Sequence, residues 1–566
     1  MHELIKRLKT SPLVTFEMLG ASFFANILAL ASSLFVMQVL NRYVAHGVTS
    51  SLVTMVFGVI VAITFEVSFR QIRLKLADEV SKPFDRAYAL AAYDILTCAH
   101  GDALSQLTPG QKREAAAAPD AVQQAYSAPN MTAYMDLPFA GVFLFALFML
   151  SPFLALVAIV FVGIAIFLAM MNYKAMQKPM QGMQLKMADR QGLLDSALSD
   201  PDTVRAFTAQ NYLRKRWTTV QNVLEGIRTK LSIRQGGQQN YIGGLQALLS
   251  TSIIGIGAAL VVNGKLDVGL LIGANILASR TLGPIIRASQ SAGAIVKANG
   301  AMNIIEQFSR LPLEMVEGTA LSNYKGGIEL KDIGFAYANQ PTPLFESVNL
   351  KIKPGALFVV SGANGTGKTT MARLIAGLIR PSRGQILIDG VDLAQISPEW
   401  WHRQLIYLPQ EPSFITASVR ENISAFNPKL TEKGLNAVIQ EAGLESYFSR
   451  SQQGFDMRLN AGGHDLSLGI RRRLAFARAL ATGGMLVLMD EPTEGMDAEG
   501  SQQIAKVMNA LNKRGCTIIA FSHDPNIIQG APFVLDLNVK PVPQLLTRNG
   551  QQSPTTAPPQ AKGKTA

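Results

Sequence analysis

Cysteine is nearly absent from this sequence: two residues in 566, Cys98 and Cys516. They stand far apart and in no metal-ligand spacing, which argues against a disulfide framework or a zinc site and fits a reducing compartment. Charge is sparse as well, with Asp, Glu, Lys and Arg making up 16% of the chain against 48% hydrophobic residues. Mean hydropathy is +0.20. That balance points to a chain that is part membrane and part soluble, long enough for two or three domains. Aromatics are few, at 7%, and none interleave with basic runs in the manner that reads bases. The net charge of +12 therefore does not indicate nucleic acid. Cytoplasmic loops of a membrane protein retain Lys and Arg and give a simpler source.

Long apolar runs are what the sequence does have. Hydropathy divides the first part of the chain into three helical pairs: about 16–40 with 51–69, 133–150 with 152–171, and 241–262 with 268–289. Each segment is close to the ~20 residues a helix needs to cross a bilayer. Within pairs the connections are short and carry only Arg42 and Lys265 as basic residues. The long connections between pairs hold Arg73, Lys75, Lys82, Arg86, Lys112 and Arg113, then Lys174 through Arg234. This bias places the long connections and both termini in the cytoplasm. The opening "MHELIKRLKT" reads as part of a signal anchor, and no cleaved peptide is expected. Helical periodicity in "SALSDPDTVRAFTAQNYLRKRWTTVQNVLEGI" predicts that membrane helices continue into the cytoplasm and return. Asp136 and Arg280 fall in or at the edge of apolar segments. Charges there read either as a transport path or as an internal ion pair or headgroup contact.

The character changes after about residue 310: a polar linker over 311–326, a globular domain over 327–545, and a Pro-, Gln- and Thr-rich tail over 546–566 expected to be disordered. In "ALFVVSGANGTGKTTMARLIAGL" an apolar strand, a glycine-rich turn and an amphipathic helix follow one another. Gly362, Gly367, Lys368 and Thr369 satisfy the P-loop spacing. Glycines let backbone N–H groups wrap phosphates, Lys368 reaches the β/γ oxygens, and the Thr369 hydroxyl suits Mg²⁺. A second apolar strand in "GGMLVLMDEP" runs into Asp490 and Glu491. Asp490 suits Mg²⁺, and Glu491 suits polarising an attacking water. A third strand in "GCTIIAFSHD" ends at His523, a γ-phosphate contact at the carboxyl edge of such a sheet.

P-loop, "LSLGI", Asp490-Glu491 and His523, in this order, resemble the nucleotide-binding domain of ABC transporters. The resemblance implies an ATPase coupled to transmembrane transport, in a multidomain chain: an all-α six-helix membrane domain over 1–310 followed by an α/β P-loop domain. It implies ATP and Mg²⁺ as cofactors. ATP contacts would come from Tyr337, which resembles the adenine-stacking aromatic, and from Ser361, Gly362, Ala363, Asn364, Gly365, Thr366, Gly367, Lys368, Thr369, Thr370 and the Q-loop residue Gln410. Mg²⁺ would be held by Thr369, Gln410 and Asp490, with Glu491 and His523 catalytic. Ser467, Leu468 and Gly469 of the signature and Asp497 of the D-loop would act on the ATP of a second chain in a head-to-tail dimer.

"SLFVMQVLNR", "MDLPFA" and "ASRTLGPI" resemble the type I secretion group of these exporters. That implies a polypeptide substrate, a membrane fusion protein and an outer-membrane channel as partners, and a multi-pass inner-membrane location. The first membrane helix starts by about residue 16, so no N-terminal peptidase domain and no leader cleavage by this chain are expected. A lipid or small-molecule exporter, and a weakly hydrolysing ATP-gated scaffold or heterodimer partner, are the alternatives.

The sequence departs from the family pattern at Asn41, usually acidic; at Glu494-Gly495-Met496, usually Ser-Ala-Leu; and at Leu468 and Ile470, usually glycine and glutamine. Leu468 is harmless where the backbone has negative φ. It costs about 1 kcal/mol or more where glycine's freedom is needed. Arg471, Arg472 and Arg473 keep the area cationic, which can partly compensate through long-range attraction. With Lys368, Thr369, Gln410, Asp490, Glu491 and His523 all present, catalysis by a homodimer is expected.

Overall fold

Residues 2–45, 50–199, 201–314, 318–337 and 342–547 are described in the computed structural model. Of the expected tail, residues 548–566 lie outside them. The chain divides into two compact units, Met1–Ala99 with Ala103–Leu313, and His100–Asp102 with Glu314–Ala566.

The first unit holds, among the described residues, six helices long and apolar enough to cross a membrane: α1 (Pro12–Val44), α2 (Leu52–Cys98), α3 (Ala128–Leu150), α4 (Pro152–Leu198), α5 (Gln210–Val262) and α6 (Val268–Ser309). At 47 residues, α4 is about 70 Å long by helical rise, more than twice a bilayer's hydrocarbon thickness. Helices α2 and α5 are of similar or greater length. The extensions beyond the membrane that periodicity predicts are therefore continuous with the spans. Side chains such as Val53, Phe57, Phe148 and Phe167 point outward and are exposed, as lipid-facing residues are. Small residues let α1 and α6 approach closely: a Cβ on Gly273 would sit 2.7 Å from Met37 Cε, and one on Gly269 would sit 2.2 Å from Asn41 Oδ1. Asn41 instead accepts the Gly269 N–H at 3.1 Å, so the residue that departs from the family pattern joins the two helices.

Asp136, in α3, has no exposed surface. It pairs with Arg73 of α2, pairs with Arg287 of α6 at 3.1 Å, and accepts from Asn26 of α1 at 3.2 Å. A carboxylate buried at this depth needs such partners, and here they gather four helices.

The second unit is layered around two larger sheets. Its strands are β1 (Ile328–Phe335), β2 (Phe345–Ile352), β3 (Leu357–Ser361), β4 (Arg383–Ile388), β5 (Val391–Asp392), β6 (Leu405–Leu408), β7 (Ala417–Ser418), β8 (Arg458–Leu459), β9 (Leu486–Asp490), β10 (Thr517–Phe521), β11 (Phe533–Asp536) and β12 (Gln544–Thr547). An antiparallel sheet has the order β2-β1-β4-β5, and the main sheet has the order β12-β11-β3-β10-β9-β6. In the main sheet β11, β3, β10, β9 and β6 are parallel, and β12 closes one edge antiparallel. Every residue of β9 and β10 is buried, as central parallel strands require. Alternate residues serve opposite faces: Leu486 and Leu488 pack on one side, Val487 and Met489 on the other.

Asp136→Ala strands two guanidinium groups and should cost about 3–5 kcal/mol, read as a much lower thermal midpoint of helicity in detergent. Glu306→Ala, which cuts the exposed Glu306–Arg310 pair at 2.8 Å, should move that midpoint little.

Candidate functional site

Parallel strands deliver their carboxyl ends to one edge, and four neighbours each end on a segment singled out by the sequence. β3 leads into Gly362, β10 into Ser522 and His523, β9 into Asp490 and Glu491, and β6 toward Gln410. Phe521 is in register with both Val360 and Asp490, which brings the three central ends level.

After β3 the chain turns through Gly365 at φ +81 and Gly367 at φ +110, left-handed conformations that favour glycine. Gly367 caps the helix α7 (Lys368–Ile375), whose first N–H groups are left for a ligand. Lys368 is buried and turned back on the loop. Its Nζ donates to Gly362 O at 2.7 Å and Ala363 O at 3.2 Å, and pairs with Glu491 Oε1 at 3.1 Å. Tyr337, half-exposed, stands edge-on to Phe335, and its hydroxyl bonds Thr370 Oγ1 at 2.8 Å. The aromatic is thus at the base of α7, with part of its surface open.

Glu491 is buried and sits at φ +47, a strained conformation for a residue with a side chain. Its N–H is fixed to Phe521 O at 2.8 Å. The carboxylate meets His523 Nδ1 at 2.9 Å and Ser522 Oγ at 3.3 Å. Next to it, both carboxylate oxygens of Asp490 are buried with no hydrogen-bond partner. Burial pushes the Asp490 pKa up to about 6, and the Glu491 charge adds to this, while Thr369 and Lys368 oppose it. The Thr369 hydroxyl donates to Gln410 Oε1 at 3.2 Å. An unanswered buried carboxylate beside a hydroxyl and an amide oxygen is an all-oxygen donor set that suits a hard divalent cation completed by phosphate oxygens. Among the described residues there is no group of three or more His, Cys, Asp or Glu able to hold a metal by itself.

The signature segment lies at the start of helix α8 (Leu468–Leu480). Ser467 is its N-cap, accepting the Ile470 N–H at 3.4 Å. Leu468 is the first helical residue and is not among the positive-φ positions, so the backbone makes no demand for glycine there. Its side chain, 41% exposed, lies over Gly495, where an added Cβ would come within 2.9 Å of Leu468 Cδ2. The two departures from the family pattern fit each other. Ile470 packs partly buried against the core beneath.

The three arginines do not form the free cationic field expected from sequence. Arg471 bonds His464 Nδ1 at 2.9 Å, and Arg473 pairs with Asp497 at 2.7 Å. Arg472 is buried and pairs with Glu494 at 3.1 Å. Asp497 also caps the helix α9 (Ala498–Lys513) by accepting the Gly500 N–H at 2.8 Å. Asp136 and Arg280 are not brought together either. Asp136 is enclosed by its ion pairs, whereas Arg280 donates to Ser32 Oγ at 2.7 Å and lines a polar cavity of about 390 Å³ with Asn26, Gln246 and Asn275.

The family model for the ABC transporter matches residues 345–494, and that for the ABC transporter transmembrane region matches 120–285. The chain is an ABC transporter with fused membrane and ATPase regions. This ABC transporter is 25% identical to the toxin RTX-I translocation ATP-binding protein of Actinobacillus pleuropneumoniae over 529 residues, 92% of this chain and 73% of that protein. It is 25% identical to the alpha-hemolysin translocation ATP-binding protein HlyB of Escherichia coli O157:H7, over 92% and 74% of the two chains. Its fold matches a bacterial Atm1-family ABC exporter solved with ATP bound, at TM-score 0.81 and 18% identity, over 93% and 94% of the two chains. The transporter is accordingly an ATP-hydrolysing, multi-pass membrane exporter.

Sequence reading missed Glu494 and Arg472 as parts of the site. Glu494 appeared only as a departure from pattern, although a carboxylate three residues past Glu491 and a basic residue in the signature helix before it were signals available in the sequence.

Gly495→Ala should destabilise the full chain by about 1 kcal/mol, because it adds a Cβ at φ +68 as well as the contact with Leu468. In a Leu468→Gly background part of that loss should disappear, leaving a coupling of roughly 0.5 kcal/mol in a double-mutant cycle of thermal unfolding.

Proposed function

We propose that this transporter exports a polypeptide across the inner membrane as the ATPase of a type I secretion system. The observation that carries this reading is its similarity, over 92% of its length, to proteins named for toxin translocation. In this reading residues 1–310 are the membrane domain, 311–326 the linker, 327–545 the ATPase and 546–566 a tail, with both termini cytoplasmic as the Lys and Arg bias suggests. A membrane fusion protein and an outer-membrane channel complete the path, and Arg280 belongs to its lining.

Two copies close head to tail on ATP. Residues of the loop from Ser361 to Thr370 cradle the phosphates, Tyr337 meets the adenine, and the partner's Ser467 and Gly469 meet the γ-phosphate from the other side. Thr369, Gln410 and Asp490 would hold Mg²⁺, which supplies charge neutralisation to the phosphates when bound. Glu491 orients and deprotonates the attacking water, and His523 holds Glu491 and reaches the γ-phosphate. The negative φ at Leu468 supports a working homodimer over a scaffold, since the altered signature carries no backbone strain.

A second reading, export of a lipid or other apolar small molecule, is favoured by one feature. A cavity of about 740 Å³ in the membrane unit is lined by apolar side chains including Leu144, Val162, Met170 and Ile285, with Lys174 at its margin.

Mg²⁺-ATPase of the single chain in lipid nanodiscs should be measurable, and Glu491→Gln should lower it at least about 100-fold. In cells, the same substitution should remove a specific polypeptide from the medium and leave membrane lipid composition unchanged. An altered lipid composition with an unchanged secretome would select the second reading.

A further inference from the structure

The Gln410 side chain is asymmetric in its bonds. Its Oε1 accepts from the Thr369 hydroxyl at 3.2 Å, and its Nε2 donates to Glu494 Oε2 at 3.1 Å. The two ends of a carboxamide differ only in what they can bond, so neighbours set which end faces where. Thr369 cannot make that choice, because a hydroxyl both donates and accepts. An ionised carboxylate only accepts, so Glu494 draws the NH₂ end and leaves the carbonyl oxygen turned to Thr369.

Glu494 is itself held. Arg472 Nη2 donates to the same Oε2 at 3.1 Å, and also to the Gln410 backbone carbonyl at 3.1 Å. Arg472 Nη1 reaches the Glu491 carbonyl at 3.3 Å. Glu494 Oε2 thus takes a donor from each side, Gln410 Nε2 and the cationic Arg472 Nη2. Arg472 belongs to α8, the helix that Ser467 caps.

We propose that Glu494 is a positioning residue for the metal site: it turns the Gln410 carbonyl toward the metal and, through Arg472, ties that orientation to the signature helix. This rests on the reading that Thr369, Gln410 and Asp490 take up Mg²⁺ with ATP. A group that orients a metal ligand without touching the metal commonly controls metal affinity as strongly as geometry at the ligand does. Two roles that shape alone would explain are separable from this one. A packing role would survive replacement by an apolar side chain of similar size, and a general loop-stabilising role would act with or without metal.

The test is equilibrium binding of a non-hydrolysable ATP analogue to the full chain in nanodiscs, titrated with Mg²⁺ and measured separately in EDTA. Glu494→Ala and Glu494→Met, which both lack an acceptor, should each raise the Mg²⁺ needed for half-maximal binding about tenfold, the low end of what losing such a group costs. Binding in EDTA should match wild type. The methionine variant, which keeps the volume and removes the acceptor, keeps the comparison available where the alanine variant does not fold. Adding either change to Gln410→Ala should have no further effect on the Mg²⁺ requirement. An unchanged Mg²⁺ requirement in both variants overturns the proposal. So does a loss of equal size in EDTA and in Mg²⁺. A wild type whose binding ignores Mg²⁺ overturns the Mg²⁺ reading and this proposal together.

Discussion

Charge taken out of water has to be answered where it is buried, and each unit is organised around carboxylates that meet this requirement differently. In the membrane unit Asp136 is matched completely, by Arg73, Arg287 and Asn26. In the ATPase unit Glu491 is matched by Lys368 and His523. Asp490, one residue earlier, has both oxygens buried without a hydrogen-bond partner, and Thr369 and Lys368 only partly offset that burial. A fully answered carboxylate holds helices together. A carboxylate left unanswered beside Thr369 is what the proposed reading gives to a cation. In that reading the same penalty produces a structural joint in one unit and a binding site in the other, and the difference is whether the protein supplies the counter-charge itself.

What could be read from the sequence was what is local or strictly ordered. The P-loop is one contiguous stretch whose glycines are fixed by the turn, and the structure gives Gly365 and Gly367 the positive φ that explains them. Apolar strands running into Asp490-Glu491 and His523 announced a sheet with chemistry at its carboxyl edge, and parallel pairing of β3, β10 and β9 provides that edge. Six apolar runs sufficed for the membrane helices. What could not be read depends on pairings between distant positions. Asp136 meets Asn26, Arg73 and Arg287 across separations of 110, 63 and 151 residues, so its role as a joint was indistinguishable from a role in transport. The strained φ of Glu491 likewise has no local sequence signal, because the N–H bond to Phe521 O on a strand 30 residues away imposes it.

The signature segment shows how departures from a family pattern are interpreted once partners are known. Leucine at 468 and glycine at 495 each look anomalous alone. Together they are a large residue lying over a residue without a side chain, at a backbone position that does not need glycine. The arginines correct the opposite error. Three cationic residues in a row suggested a field reaching a distant phosphate, yet Arg472 and Arg473 are engaged by Glu494 and Asp497, and Arg471 by His464. Arg472 and Arg473 work at short range: they fasten the signature helix to the segment that follows Glu491.

That fastening bears on how one site can sense its ligand. Lys368 divides its donors among Gly362 O, Ala363 O and Glu491, all within one chain. A phosphate entering the loop is a stronger partner for Lys368 than a carbonyl, and it competes directly with Glu491 for the ammonium group. Glu491 then keeps His523 and Ser522, the partners that hold it at the edge of the sheet where water would attack. On its other side the Glu491 backbone carbonyl is bonded by Arg472, which also holds Gln410 and Glu494. In the proposed reading, phosphate contact, metal ligand and signature helix meet at Arg472, through its bonds to Glu491, Gln410 and Glu494. Such a shared set of hydrogen bonds is where a change at one group would first reach the next.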